Sequence, residues 1–198
     1  MTSGSDSTQP MDTPTLTEQD IRKRIWQELG RATQDRHHEW RTPVLATVGL
    51  DGTPNARTVV LRHADAAQTR LQIFTDSRSP KIKELAAQPA AMLSFWSKRL
   101  NWQLRVRVNM SIELSGPQVE AVWARVSQSA AAGDYLSASA PGDALNTGNK
   151  ADLNSGTPRE HHLAVLTAQV QDIDWLELAR SGHRRALLGA NNWQWLVP

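Results

Sequence analysis

Four cationic residues, Arg57, Arg62, Arg78 and Lys81, fall within a stretch of the 198-residue chain that also carries a helix start, and their chemistry is that of holding an anion. The run Asp76-Ser77-Arg78-Ser79-Pro80-Lys81 places a serine at a candidate N-cap and a proline at the first helical position, and Ile82 and Leu85 then recur on one side. Free backbone N–H groups and the positive end of the helix dipole would sit beside Arg78 and Lys81, with Arg57 and Arg62 on the preceding strand. The same residues also fit an ordinary capped helix with solvated side chains. Arg57 and Arg62 are separated by an odd number of positions, so a regular strand points them to opposite faces. Both reach one ligand only across a bulge or from two copies of the site.

Three strand signals position these groups. Val44 to Gly49 is rich in strand formers, Asp51-Gly52 is a strong hairpin turn, and Thr58, Val59 and Val60 resume the strand. After a polar turn, Leu71-Gln72-Ile73-Phe74-Thr75 supplies a third strand, so a small antiparallel meander leads into the helix. Ahead of it, Ile21, Ile25, Trp26 and Leu29 mark a helix from about residue 17 to residue 40, which Gly30 would break in two. His37 and His38 are neighbours, cannot share a helix face, and read as surface residues rather than a metal pair.

Past the second helix the sequence predicts a short apolar strand from Ala90 to Trp96. A long half-buried one follows from Trp102 to Leu114, with Leu104, Val106, Val108, Met110, Ile112 and Leu114 facing inward. Gln103, at its start on the polar side, could bond the edge of a heteroaromatic ring through both donor and acceptor, or be plainly solvated. Ser115 as N-cap with Gln118 at the reciprocal position, then Val119, Val122, Trp123 and Val126, predicts a third helix with Trp123 in the core. Residues 143–160 read as a long mobile loop, and the chain then closes through strands that include Leu163, Val165, Ile173 and Trp175 and end near Trp193.

The totals set bounds on function. The length and a hydrophobic content of 39% suit one domain, expected over residues 17–198 behind a disordered tail of residues 1–16. That tail has neither a basic flank nor an apolar run, so neither a secretory signal nor a membrane span is expected and a cytoplasmic location is. Zero cysteines exclude disulfides and thiolate metal sites, and no metal site is expected. The net charge is only +2 and the basic residues are scattered, which argues against a nucleic-acid partner despite eight tryptophans. No phosphate-cradling glycine loop and no Gly-x-Ser-x-Gly elbow is present.

Meander, helix, two longer strands, helix and closing strands suggest an α+β chain that is mainly β: an antiparallel barrel with helices outside. In that order the segments TPNARTVVLR, LQIFTDSRSPK, WQLRV, DWLEL, HRRA and WQWLVP resemble the FMN-binding split-barrel family of pyridoxamine 5'-phosphate oxidase, from about Trp26 to Pro198. The resemblance implies an antiparallel six-stranded split β-barrel of the FMN-binding type, and a homodimer with FMN at the subunit interface. It implies Arg57 on the FMN phosphate, Thr58, Val59, Val60 and Leu61 beside the flavin, Phe74 and Thr75 against it from the third strand, and Lys81 on phosphate or ribityl. Gln103 would touch the ring system, Trp175 would flank it, and Arg185 would be a further cofactor contact.

The departures from the family pattern are specific. Pro80-Lys81 stands where the oxidase has Arg-Lys, so one phosphate contact is missing unless Arg78 replaces it. Arg62 stands at a substrate-phosphate lysine, no arginine follows Arg125 where the oxidase grips that phosphate, and Arg184-Arg185-Ala186 lacks the closing histidine. Arg62 and Arg184 remain as the implied substrate-binding groups. The sequence is thus read as a flavoprotein, an oxidoreductase on a small substrate. The alternatives are a non-catalytic binder of FMN or a similar flat cofactor, and an FMN reductase drawing on a nicotinamide.

Overall fold

The computed structural model describes residues 16–144 and 160–198. The expected tail of residues 1–16 and loop of residues 143–160 lie, but for their edge residues, outside the described residues.

Nine antiparallel strands form one sheet among the described residues: β1 Val44–Val48, β2 Pro54–Thr58, β3 Leu61–Asp65, β4 Arg70–Asp76, β5 Ala90–Ser97, β6 Trp102–Glu113, β7 Leu163–Glu177, β8 Arg184–Gly189 and β9 Trp193–Leu196. Their order is β2-β1-β5-β6-β7-β4-β3. β2 and β3 are separated only by Val59 and Val60, so the two ends of this path are halves of one bent strand and the sheet closes on itself. Counted that way, β2 with β3 and the five strands β1, β4, β5, β6 and β7 make the expected six positions around the ring. β8 and β9 add a hairpin outside it.

β7 is where the barrel splits. One of its edges pairs with β6 from Val165 to Glu177, while the other pairs first with β4 (Leu163 to Gln169) and then with β8 (Asp172 to Glu177). A single long strand thus belongs to the ring in its first half and carries the hairpin on its second. No edge of β7 is left open to solvent along either half.

Helix α1, Glu18–Gln34, forms because Thr17 and Asp20 cap each other reciprocally: the Asp20 N–H donates to Thr17 Oγ1 and the Thr17 N–H to Asp20 Oδ2. It runs through Gly30 without a break and stops at Gln34; Trp40, expected at its end, sits instead in a 3-10 turn with its ring fully buried. Ile21, Ile25, Leu29 and Ala32 form its buried stripe, each large one contributing roughly 1.5–3 kcal/mol. His38, expected at the surface, tucks under this helix with Nε2 2.8 Å from the buried Glu28, because Glu28 needs a donor where water is excluded.

Helix α2, Pro80–Ala87, begins at Ser79 with Pro80 in its first turn, yet the Ser79 hydroxyl makes no cap bond and instead accepts from Lys81 Nζ. Helix α3, Pro117–Val126, is capped by Gly116 at φ 99°, not by Ser115. Only glycine adopts that backbone cheaply, and the expected box with Gln118 does not form. Trp123 is half-buried and stacks on His161.

The barrel core holds Leu45, Leu61, Ile73, Leu93, Phe95, Leu104, Val106 and Leu166, with Trp40, Trp102 and Trp175. The inward face of β6 is as patterned up to Met110; Leu114, expected inward, lies past the strand end and is 53% exposed. Leu93→Ala should therefore cost about 2–5 kcal/mol in urea unfolding, whereas Leu114→Ala should stay within about 0.5 kcal/mol.

Candidate functional site

The cationic cluster forms where β2, β4 and the start of α2 meet. Arg57, half-buried on the face of β2 that it shares with Leu45 and Thr47, donates from Nη2 to Glu84 Oε2 at 2.8 Å and from Nη1 to Thr47 Oγ1. Glu84 is buried in α2 and takes two further bonds, from Thr47 Oγ1 at 2.6 Å and Asn55 Nδ2 at 2.9 Å. Burial pushes the Glu84 carboxyl up, but these donors outweigh it and hold the group below its usual range, as a carboxylate. Glu84 thereby fixes the direction of the Arg57 fork.

Lys81 lies one helical turn before Glu84 and donates to Thr75 Oγ1 at 2.9 Å and Ser79 Oγ at 2.5 Å. Among the described residues it has no ion-pair partner. Burial, reinforced by the Arg57 charge, lowers its pKa. Arg57 and Lys81 thus stand close enough for their charges to act on each other, with Glu84 and Asp76 nearby, and the first turn of α2 adds its dipole.

Arg78 does not complete the set. It is spent on Asp76, with Nη2 2.7 Å from Oδ2 and Nε 3.1 Å from Oδ1, and on the carbonyls of Ser137, Ala138 and Ser139. The hydrogen bonds raise its pKa and, against burial, keep Asp76 ionised. It ties the segment after α3 to the end of β4, and its donors are already engaged there.

The bend at Val59 and Val60 settles where Arg62 goes. The Val59 N–H bonds to the Pro43 carbonyl at 2.9 Å, pairing resumes at Leu61 with Ile73, and a register shift separates Leu61 from His63. Val59 and Leu61 send their side chains into the core, while Thr58 is exposed and Val60 half-buried, so only the latter two offer side chains to a ligand along residues 58–61. Arg62 emerges on the far side of β4, its guanidinium 5.9 Å from the Phe74 ring centroid and beside the Tyr135 hydroxyl. Its Nε is buried without a partner. Phe74 and Thr75 stand between the two cationic positions: Thr75 bonds Lys81, and Phe74 faces Arg62.

The remaining expected site residues are elsewhere. Gln103 is half-buried on β6, paired across to Trp96 and Leu176. Trp175 is fully buried, edge-on to Trp102 at 5.2 Å, with Arg184 over its ring at 5.8 Å. Its ring face is therefore closed to any ligand of this chain, a correction to the expected flanking role. Arg185 grips Asp174 through Nε at 2.9 Å and Nη2 at 2.7 Å, with Arg105 on the same carboxylate. Arg184 binds Glu177, which also accepts from Trp102 Nε1 at 3.0 Å. Trp175 lies ten residues along β7 from Val165, the partner of Phe74. That is roughly 33 Å of extended strand from the row of Phe74; from Arg57, whose row runs through Leu45, Leu93 and Val106 to Ile173, the group is separated by the intervening strands β1, β5 and β6.

Sequence reading missed Thr47, Asn55, Glu84 and Tyr135. Their strand or helix positions were legible, but their convergence on Arg57 and Arg62 depends on the register of β1 with β2 and on the 3-10 segment Ala130–Tyr135, neither of which leaves a local signal. Among the described residues no three His, Asp or Glu side chains cluster as a metal site, and no helix is long and apolar enough to cross a membrane.

Residues 23–113 match the family model described as pyridoxamine 5'-phosphate oxidase, FMN-binding domain. The pyridoxine/pyridoxamine 5'-phosphate oxidase of Thermosynechococcus vestitus is 42% identical over 87 residues, 44% of this chain and 39% of that protein. That of Jannaschia sp. is 35% identical over 118 residues, 58% of this chain and 55% of that one. The matched part is thus little more than half, or less, of these curated relatives. Among solved structures, a pyridoxamine 5'-phosphate oxidase-related FMN-binding protein of Nostoc punctiforme superimposes with a TM-score of 0.69 at 23% identity, covering 93% of this chain and 100% of that one. PhzG of Burkholderia lata, in complex with tetrahydrophenazine-1-carboxylic acid, gives 0.67 at 19% identity, covering 94% and 95%. At those identities the superpositions establish a shared split-barrel fold.

The lowered pKa of Lys81 has a measurable sign. Between its folded-state value and the ordinary value near 10.4 the unfolded chain holds this proton more tightly. The penalty is therefore complete at neutral pH and fades as pH rises through that window. Lys81→Met should leave the ligand-free protein equally or more stable at pH 7, by up to about 1 kcal/mol. The difference from wild type should shrink toward pH 10, as read from urea midpoints at both pH values.

Proposed function

We propose that this chain, a divergent relative of the pyridoxamine 5'-phosphate oxidase FMN-binding family, is an FMN-dependent oxidoreductase acting on a small substrate. The observation that carries the reading is the Arg57–Lys81 pair: two cations lie near each other at the first turn of α2, and the half-buried ammonium makes no ion pair among the described residues, Asp76 and Glu84 acting on it only from farther off. An uncompensated buried cation costs stability, and a phosphate monoester supplies what it lacks. The donor set fits. Arg57 offers a fork already oriented by Glu84 and Thr47, Lys81 offers a point charge, and the start of α2 offers dipole.

From a phosphate held there, the flavin would extend along the bent strand past Thr58 and Val60 toward Phe74. Bound FMN supplies hydride and single-electron chemistry. The chain's own residues bind the tail, shape the ring's bed and exclude water from one side.

With the cofactor goes a homodimer, in which a second copy of the chain would cover the side of the flavin that its own chain leaves open. Val44 and Trp96, 40% and 46% exposed, share one outward face of the β1–β5 pair and offer apolar surface for such an interface.

Protein purified with excess FMN and then desalted should keep one flavin per chain and run as a dimer on sizing with light scattering. Arg57→Ala and Lys81→Met should each weaken FMN roughly tenfold to a hundredfold, the weight of one charge-assisted contact of about 1.5–3 kcal/mol. Affinity should fall as pH rises through the lowered Lys81 titration, because the neutral amine no longer pairs with phosphate. Colourless monomers that take up no FMN would refute the proposal. A flavin that binds but that neither nicotinamides nor small amines and alcohols reduce would remove the oxidoreductase part and leave a carrier of the cofactor.

A further inference from the structure

We infer that Tyr135 is a positioning residue of the substrate site: its hydroxyl holds the Arg62 guanidinium at the cavity beside α3, so that the anionic end of a substrate meets a fork already oriented. As a property of the site that would face the flavin, this rests on the function proposed above.

The cavity, of about 560 Å³, lies between α3 and the strands β3 and β4. Arg41, Arg62 and Arg125 line it together with Thr33, His63 and Ser129, and its lining includes no aspartate or glutamate. Such a wall receives an anion through guanidinium and hydroxyl donors. The three arginines differ in what fixes them. Arg41 donates to the carbonyls of Ala32 and Thr33 at 3.1 and 3.0 Å, and Arg125 is exposed on α3. Arg62 is half-buried, in no ion pair among the described residues, and its Nε is sealed without a partner. That nitrogen therefore cannot direct the end of the side chain.

Two contacts do. The guanidinium carbon stands 5.9 Å from the centroid of the Phe74 ring, which supports one face of the group. The Tyr135 hydroxyl lies within hydrogen-bonding reach and accepts from a terminal N–H, which leaves other terminal N–H groups to meet a ligand. Burial pushes the Tyr135 phenol up, against the pull of the Arg62 charge and hydrogen bond, so the phenol stays neutral and its oxygen serves as an acceptor.

Tyr135 is itself anchored through ring and backbone. Its ring packs with Val119, Val122, Leu163 and Val165, and its carbonyl accepts from the His162 N–H at 2.8 Å. Just beyond it, Arg78 grips the carbonyls of Ser137, Ala138 and Ser139 while pairing with Asp76 at the end of β4. A phenol fixed in this way presents its oxygen at one place. An arginine left to rotate loses that freedom when an anion binds, whereas one already held has little left to lose.

Tyr135 is the single tyrosine of the chain, so the ultraviolet change on phenol ionisation reports this contact alone. Inorganic phosphate, used as the anion probe with and without saturating FMN, should move that ionisation to higher pH, because a bound anion offsets the Arg62 charge. Arg62→Leu should also move it to higher pH and should abolish the response to phosphate. In calorimetric titration with phosphate, counting only the binding that Arg62→Leu removes, Tyr135→Phe should weaken affinity about threefold to tenfold, the weight of one long side chain left to be ordered. Phenylalanine keeps the ring among its apolar neighbours, so FMN uptake should stay as in wild type. A phenol ionisation indifferent to both Arg62→Leu and phosphate, Arg62-dependent phosphate binding that Tyr135→Phe leaves intact, or a Tyr135→Phe loss that extends equally to FMN uptake would overturn the inference. Phosphate binding that depends on Arg62 and Tyr135 in a protein that takes up no FMN would support the positioning role and refute the flavin reading; FMN bound without Arg62-dependent phosphate binding would overturn the positioning role alone.

Discussion

The bend at Val59 and Val60 is the constraint on which the rest of the molecule depends. One strand must pair with β1 through its first half and with β4 through its second, and no straight strand can reach both. Breaking the ladder for two residues, with a register shift just beyond, closes the barrel and reverses the parity of the side chains along β3. Arg57 is left on the α2 side and Arg62 on the α3 side. The closure of the core and the separation of the two cationic positions are consequences of the same two residues.

The α2 side is built to keep charge in place at some cost to the protein itself. Glu84 is ionised in a buried position only because Thr47, Asn55 and Arg57 surround it, and its bond to Arg57 orients that fork. Lys81 receives two hydroxyl acceptors and no direct ion pair among the described residues. Strain of this electrostatic kind is tolerable in a fold whose core is otherwise apolar and closely packed, and it is concentrated where an anion would relieve it.

The β6–β7–β8 end obeys the opposite rule. Asp174 takes Arg105 and Arg185, Asp172 takes Arg107, and Glu177 takes Arg184 and the Trp102 N–H, so each of the four arginines on these strands is matched by an acid. These ladders hold the hairpin β8–β9 to the barrel across the split of β7. They also lock Trp175, which the family resemblance would place beside a flavin, between Trp102 and Arg184.

Local pattern determined the elements. Alternation along β6, the Asp51-Gly52 turn, the Ser79-Pro80 helix start and the apolar stripe of α1 each fix a segment through backbone preference and burial, which are properties of neighbours in sequence. The cations at Arg57, Arg62 and Lys81 were legible for the same reason, as was their odd spacing. Tertiary structure alone decided who their partners are. Glu84 meets Arg57 across 27 positions, Asp76 and three distant carbonyls claim Arg78, and Tyr135 arrives beside Arg62 from beyond α3. Such meetings are set by strand register and chain return, and a hydrogen bond or ion pair between residues far apart in sequence leaves no periodicity by which either one could announce the other.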